Sequence, residues 1–302
     1  MRNGNSKSKG NSIKQLVQKF WDEHPCGVKF APSEIGTRYF FDELDKHRYE
    51  TEGHILKLLQ PIQVRGKRVL EIGCGLGTDG GQFVRKGANY IGMDLTSASV
   101  QLARRRFQLS KLSGVVLEAD AEDIPFEDET FDLVYSHGVL HHTPDTQRAF
   151  NEIHRVLRGG GQAIIMLYHR DSWNYWGNIM FLRRLGAALL LFDWGPSIVH
   201  YLTGESVERL RQHQGNLRRQ GGGYLRRDVF LSKNTDGPGN PLSKVYTRSQ
   251  IKWMFNRFTT VETKAAFMNR RWLPVIGRWI SQRVEERLAS HWGWHLWIFA
   301  TK

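Results

Sequence analysis

Between residues 67 and 168 the chain alternates short apolar runs with longer stretches whose apolar positions recur at helical spacing. The runs at 69–72, 90–93, 115–119, 131–136 and 162–168 predict five strands. The intervening stretches predict helices over 79–86, from Ser97 (capped by Thr96 or Ser97) and over 146–157, the last stopped by Gly159, Gly160 and Gly161. Upstream, Ile13, Leu16, Val17 and Phe20 fall on one helical face, and a loop rich in Pro and Gly precedes a helix from about Arg38. That helix carries Tyr39, Phe40 and Phe41, which cannot all share one side, so at least one is expected toward a cleft or a neighbour. Downstream, residues 171–245 are too long for a simple loop, and Val275, Ile276, Trp279 and Ile280 predict an amphipathic helix over 271–290.

The first strand runs into Gly73, Gly75 and Gly77, with a helix predicted from Thr78. Glycine at such a turn gives a ligand access to the main chain, and the helix start behind it presents unpaired N–H groups and the positive end of a dipole. A dinucleotide fingerprint, G-x-G-x-x-G, would need its third glycine where Thr78 stands; the pattern here is G-x-G-x-G. Asp94 closes the second run, where a carboxylate can accept both hydroxyls of a ribose, and Asp120 closes the third, placed for an adenine amino group. Three such strand tips make one crevice along the carboxyl edge of a parallel sheet.

The segments LEIGCGLGTD, MDLT around Asp94, EADAEDIPFEDETFDLVYSHGVLHHTPD and RVLRGGG resemble, in order and spacing, the class I S-adenosylmethionine-dependent methyltransferases, in the branch that includes the ubiquinone/menaquinone-type enzymes, over roughly residues 65–170. The resemblance implies an α/β fold: a Rossmann-like seven-stranded sheet, mostly parallel with the last strand (295–302) antiparallel, after a helix at 249–258 and a sixth strand at 259–267. It implies S-adenosylmethionine bound by Glu71, Gly73, Cys74, Gly75, Gly77, Asp94, Leu95, Asp120, Ala121 and Ser136, with Phe126 under the adenine. The expected organisation is a tail (1–12), an N-terminal helical cap (13–64), the cofactor core (65–170), an insertion covering the substrate (171–245) and C-terminal elements completing the core (246–302). Two departures narrow the acceptor. No Asn/Asp-Pro-Pro-Tyr/Phe segment follows the fourth strand, which disfavours a nucleobase amino group, and the Arg-Asn pair of the quinone enzymes is missing.

Composition adds boundaries. The chain has 302 residues, 40% of them hydrophobic, enough for one α/β core with an appended cap. Two cysteines, Cys26 and Cys74, with Cys74 inside the glycine turn, suit a reducing cytoplasm. The polar, glycine-bearing start is expected to be a disordered tail without the apolar core of a signal peptide, and no run approaches a membrane span. The net charge of +13 lies outside the cofactor core, in residues 1–20 and in Arg209, Arg211, Arg218, Arg219, Arg226 and Arg227, which could meet anionic lipid, nucleic acid or an acidic substrate.

For chemistry, the fourth strand tip offers His137, then His141 and His142; histidine suits general-base work near neutral pH, and His137, nearest the strand end, is the first choice with His141 second. Tyr168, His169 and Arg170 line the same edge. No metal is expected, because adjacent histidines rarely ligate one ion together. The reading is a methyltransferase acting on a small metabolite, amphipathic to judge from the aromatic residues beside arginines at 173–184, with peripheral contact to an anionic membrane. An RNA-binding methyltransferase, a nicotinamide-dependent oxidoreductase and a non-catalytic cofactor-binding protein are the alternatives.

Overall fold

A computed structural model describes residues 3–269 and 279–302. Its elements run α1 (Asn3–Glu23), α2 (Arg38–Thr51), α3 (His54–Leu59), β1 (Arg68–Ile72), α4 (Thr78–Arg85), β2 (Asn89–Asp94), α5 (Ser97–Leu109), β3 (Gly114–Glu118), β4 (Phe131–His137), α6 (Thr146–Val156) and β5 (Leu157–Tyr168). There follow a π-helix (Asn174–Arg183) continuing into α7 (Arg184–Leu189), then α8 (Gly195–Thr203), α9 (Val207–Gln220), α10 (Arg227–Thr235), α11 (Arg248–Met254), β6 (Thr260–Ala266), α12 (Gln282–Trp292) and β7 (His295–Thr301).

The strands form one sheet in the order β3-β2-β1-β4-β5-β7-β6, with β7 antiparallel to both neighbours and the rest parallel. Each face is covered. Leu70, Ile72 and Val134 pack with Phe150 and Ile153 of α6 and with Ile251 and Phe255 on one side. On the other, Val69, Leu133 and Tyr135 pack with Ile55 of α3, Phe83 of α4 and Phe107 of α5. Burial on both faces is why these strands read as continuous apolar runs. The strand order reverses between β1 and β4, the place where such sheets open a crevice at their carboxyl ends.

Residues 171–245 build a helical subdomain with its own core, in which Tyr175, Ile179, Leu210, Leu217, Tyr224 and Phe230 enclose Tyr168 and Trp294 from the sheet edge.

Three boundaries differ from expectation. The helix α1 runs from Asn3, through residues expected as a disordered tail; Gly4 and Gly10 cost only about 1 kcal/mol each relative to alanine, and no proline interrupts. Gly159–Gly161 lie within β5 and do not stop the helix, which ends at Val156. The reason is tertiary: the chain end pairs there, Gly160 N–H donating to Lys302 O (3.0 Å) and Lys302 N–H to Gly161 O (3.0 Å). The late amphipathic helix begins at Gln282, with Val275 and Ile276 outside the described residues.

Candidate active site

A cavity of about 450 Å³ runs along the carboxyl edge of the sheet, from the glycine turn and the tips of β2 and β3 to the tips of β4, β5 and β7. Among the expected site residues, Glu71, Gly73, Cys74, Gly75, Asp94, Leu95, Asp120, Ala121 and His137 line it. Gly77, Ser136 and His141 do not.

The three glycines have different reasons. A Cβ on Gly73 would lie 2.1 Å from Val139, and one on Gly77 would lie 2.8 Å from the Phe107 ring, so both are small because packed elements approach them. Only Gly75 fits the access role: nothing lies within 4 Å of a Cβ there, its φ is +50°, and it faces the cavity. Alanine at Gly73 is expected to cost at least 2–3 kcal/mol from overlap with Val139 plus strain at φ +70°, read as a lower denaturation midpoint.

Asp94 is locked in place: Oδ2 accepts from Gly75 N–H (2.9 Å), and Oδ1 from Thr96 N–H (3.0 Å) and Thr96 Oγ1 (2.8 Å). Thr96 begins α5 but gives its hydroxyl to Asp94 instead of capping the helix. Asp120 carries Lys14 of α1 on its Oδ2 (2.5 Å), and the same ammonium reaches Glu122 (2.7 Å). Burial lowers the Lys14 pKa, but these two carboxylates outweigh it and raise it. Gln18 donates to Leu95 O (2.9 Å), and Asp22 accepts from Ala98 N–H (2.9 Å), so α1 is fastened across this end of the crevice.

Three expected roles are corrected. The Ser136 hydroxyl is fully buried and donates to Ile72 O (3.0 Å), tying β4 to β1. His141 is fully buried, stacks on Tyr168 with ring centroids 3.7 Å apart, and has no hydrogen-bond partner for either ring nitrogen. Burial, reinforced by His142, holds it well below the usual histidine range; it packs as a neutral ring and cannot reach an acceptor in the cavity. Phe126 packs edge-on against Phe131 at 5.1 Å and does not line the cavity. Of the three adjacent aromatics, Phe40 and Phe41 pack with Leu44 and Leu76 while Tyr39 is exposed, so none enters the cavity.

The other end of the cavity holds charged groups that motif reading missed. Arg48 forms a two-pronged pair with Asp79, Nε to Oδ1 at 3.2 Å and Nη2 to Oδ2 at 2.6 Å, and Asp79 also accepts from Tyr135 (2.9 Å) and Tyr49 (3.1 Å) hydroxyls. Burial pushes the Asp79 carboxyl up, but Arg48 and the two tyrosines more than compensate and hold it below the usual range. Arg48 Nη2 also donates to His137 Nδ1 (3.1 Å). A guanidinium only donates, so the neutral His137 ring must carry its proton on Nε2. Burial and the Arg48 charge keep that ring well below the usual histidine pKa. Nε2 is buried with no hydrogen-bond partner, 3.8 Å from Glu52 Oε2, which is also buried without a hydrogen bond and lies 3.7 Å from Arg48 Nη1. Burial pushes the Glu52 carboxyl up, with Arg48 opposing. His295 completes the group, Nε2 4.0 Å from Glu52 Oε1 and Nδ1 3.1 Å from His54 Nε2. His142, Tyr168, Asp236 and Trp294 close the wall, with Tyr168 donating to Asp236 (2.8 Å) and stacking on Trp294 (4.3 Å). His169 instead turns away, its Nδ1 3.0 Å from Gly293 O.

Glu52, His137 and His295 offer three ligand atoms within 4.8 Å of one another. The tautomer weighs against an ion: the His137 nitrogen that would ligate is the one Arg48 leaves protonated. One signal in the sequence did point here. In the i, i+4 row Phe40, Leu44, Arg48, Glu52 two charged residues continue an apolar stripe, so α2 must carry them inward.

Residues 70–165 match the model of a family described as a methyltransferase domain. Over this segment the chain is similar to methyltransferases. The chain is 42% identical over 105 residues to phthiotriol/phenolphthiotriol dimycocerosates methyltransferase 1 of Mycobacterium ulcerans, covering 34% of this chain and 38% of that one. It is 34% identical over 155 residues to fatty-acid O-methyltransferase of Mycolicibacterium smegmatis, covering 51% and 52%. The chain thus spans about half or less of the length of these relatives. Its fold is shared with the PH0226 protein of Pyrococcus horikoshii (TM-score 0.51, 16% identity, 94% and 98% covered). It is shared as well with a methyltransferase of Thermotoga maritima described as a possible histamine N-methyltransferase (0.50, 17%, 96% and 99%).

The cavity has features that suit S-adenosylmethionine, the cofactor the motif resemblance implies. Bare backbone at Gly75, the oriented Asp94 carboxylate and Asp120 lie along one wall.

Proposed function

We propose that this methyltransferase methylates the hydroxyl oxygen of a small amphipathic acceptor, with Glu52 taking the hydroxyl proton. The supporting observation is Glu52, which lines the same cavity as Gly75, Asp94 and Asp120 and whose Oε2 is buried without a hydrogen bond, in a loose 3.7 Å ion pair with Arg48 Nη1.

When bound, S-adenosylmethionine supplies an electrophilic methyl group on a sulfonium sulfur. What the chain must add is alignment and a place for the proton. Asp94 and Asp120 would hold the ribose and adenine, Asp120 while sharing Lys14. At the far end Arg48 fixes the His137 tautomer, so His137 Nε2–H donates to the acceptor oxygen and does not act as the base. Glu52, with its carboxyl pKa raised by burial, accepts the proton of that same hydroxyl. A carboxylate acceptor would bring no proton to remove and would face Glu52 charge to charge, so an alcohol suits this end better. The aromatic wall of Tyr168, Trp294, Phe267 and Trp21 suits an apolar body behind the hydroxyl, in keeping with a relative named as a fatty-acid O-methyltransferase.

Calorimetry tests the cofactor half. S-adenosylhomocysteine is expected to bind, and Asp94→Asn to weaken it roughly 10- to 100-fold, the worth of a charge-assisted hydrogen bond. Absence of heat with the wild-type chain would overturn the assignment. For the acceptor half, methyl transfer from labelled cofactor to medium-chain alcohols is expected to exceed transfer to the matching carboxylic acids; the reverse order would remove Glu52 as base.

A further inference from the structure

The helical insertion turns an apolar face outward. Along the π-helix and α7, Phe181 (60% exposed) and Leu185 (56%) are followed by Phe192 (52%), at spacings of four and seven. On α8, Trp194, Ile198, Tyr201 and Leu202 fall at i, i+4, i+7 and i+8, one helical stripe, and Tyr201 is 86% exposed. The opposite faces are already used: Ala187, Leu190 and Val199 are buried in the subdomain core. No charged side chain occurs between Asp193 and Glu205. The two helices pack on each other and expose large apolar side chains that the subdomain core does not use, and clustered exposed apolar side chains mark interaction sites.

The charges beside the patch indicate what meets it. Asp193, between Phe192 and Trp194, is paired with the half-exposed Arg218 of α9, which puts a guanidinium beside the patch. Arg211 is exposed on α9, which packs on α8, and Arg227 lies over the half-exposed Trp176 ring at 5.8 Å. Apolar side chains with tryptophan and tyrosine among them, rimmed by arginines, match the boundary between acyl chains and anionic headgroups. Among the described residues no helix is long and apolar enough to cross a membrane, so the contact is a surface one.

We infer that the face formed by Phe181, Leu185, Phe192, Trp194, Ile198 and Tyr201 docks the enzyme on the surface of an anionic bilayer. The inference stands on this surface and is independent of the acceptor assigned above. The subdomain that carries the face also encloses Tyr168 and Trp294 at the acceptor end of the cavity, so docking would place that end near the lipid.

The test is co-sedimentation of the full chain with vesicles of phosphatidylcholine alone and of phosphatidylcholine with phosphatidylglycerol. Binding is expected to the anionic vesicles, weaker by about tenfold without the anionic lipid, and falling with salt. The double variant Ile198→Glu/Tyr201→Glu is expected to lose at least about tenfold in partitioning, since apolar burial supplies much of the binding. Its thermal midpoint and S-adenosylhomocysteine affinity, expected to be those of wild type, show that it folds. Failure of the wild-type chain to bind anionic vesicles, or equal binding by the variant, would overturn the inference. So would light scattering that shows a dimer dissociated by the double substitution, which would assign the face to a second copy.

Discussion

Glu52→Gln is expected to lower turnover by about 10²- to 10⁴-fold, the usual worth of a general base, while changing S-adenosylhomocysteine affinity only a few-fold. The substitution keeps size and removes the ability to take a proton, together with the 3.7 Å ion pair to Arg48. Glu52 lies at the acceptor end of the cavity, away from Asp94 and Asp120, which is why cofactor binding should survive. A pH profile separates this role from a structural one. Burial raises the Glu52 carboxyl, so the wild-type rate should climb with pH through an apparent pKa above the ordinary glutamate range and then level off; the residual rate of the variant should lack that limb. Burial and the Arg48 charge hold the His137 ring well below the usual histidine range. His137→Gln retains an N–H donor and should cost less than Glu52→Gln. If His137→Gln abolishes the pH limb and Glu52→Gln preserves it, the two roles are reversed.

The largest expected loss of stability follows Arg48→Met, about 3–5 kcal/mol, the cost of leaving a buried charge without its partner. The Asp79 side chain is 2% exposed and takes two hydrogen bonds from Arg48. Without the guanidinium, two tyrosine hydroxyls remain to solvate a carboxylate inside the protein. Urea denaturation should show a lower midpoint with an unchanged slope. The sign with pH is fixed by the direction of the Asp79 shift. Its folded pKa lies below the unfolded one, so the pair stabilises wild type above the ordinary aspartate pKa, and that part is lost as pH falls through the depressed value. In the variant, protonation relieves the stranded charge, so the deficit should shrink on acidification. Adding Asp79→Asn to Arg48→Met should recover part of it at neutral pH, whereas simple additivity would disprove the pairing. Arg48 also orients His137, so the single variant should lose activity even where it remains folded.

Much of the fold was legible because a parallel sheet covered on both faces needs mainly apolar runs, and β1, β2 and β4 have them, with Glu71 and Asp132 the charged exceptions inside β1 and β4. Gly75, Asp94 and Asp120 were legible for a related reason: a ligand at the carboxyl edge of such a sheet meets strand tips, and these follow directly from the runs. Less local features were misread. Gly159–Gly161 have the composition of a helix stop, yet the distant Lys302 pairs with them and extends β5. His137 and His141 are four residues apart with the same chemistry in principle, yet one faces Arg48 and the cavity and the other is sealed against Tyr168.

From the order of residues alone came the sheet, its glycine bend and the acidic tips that suit an adenosyl cofactor, because all depend on local pattern and on one topology that joins neighbouring strands. Which group can take a proton was decided only in three dimensions. Glu52 from the end of α2, His137 from β4 and His295 from β7 lie far apart along the chain, and their protonation depends on burial and on one shared arginine. Neither burial nor that sharing exists until the helices close over the sheet.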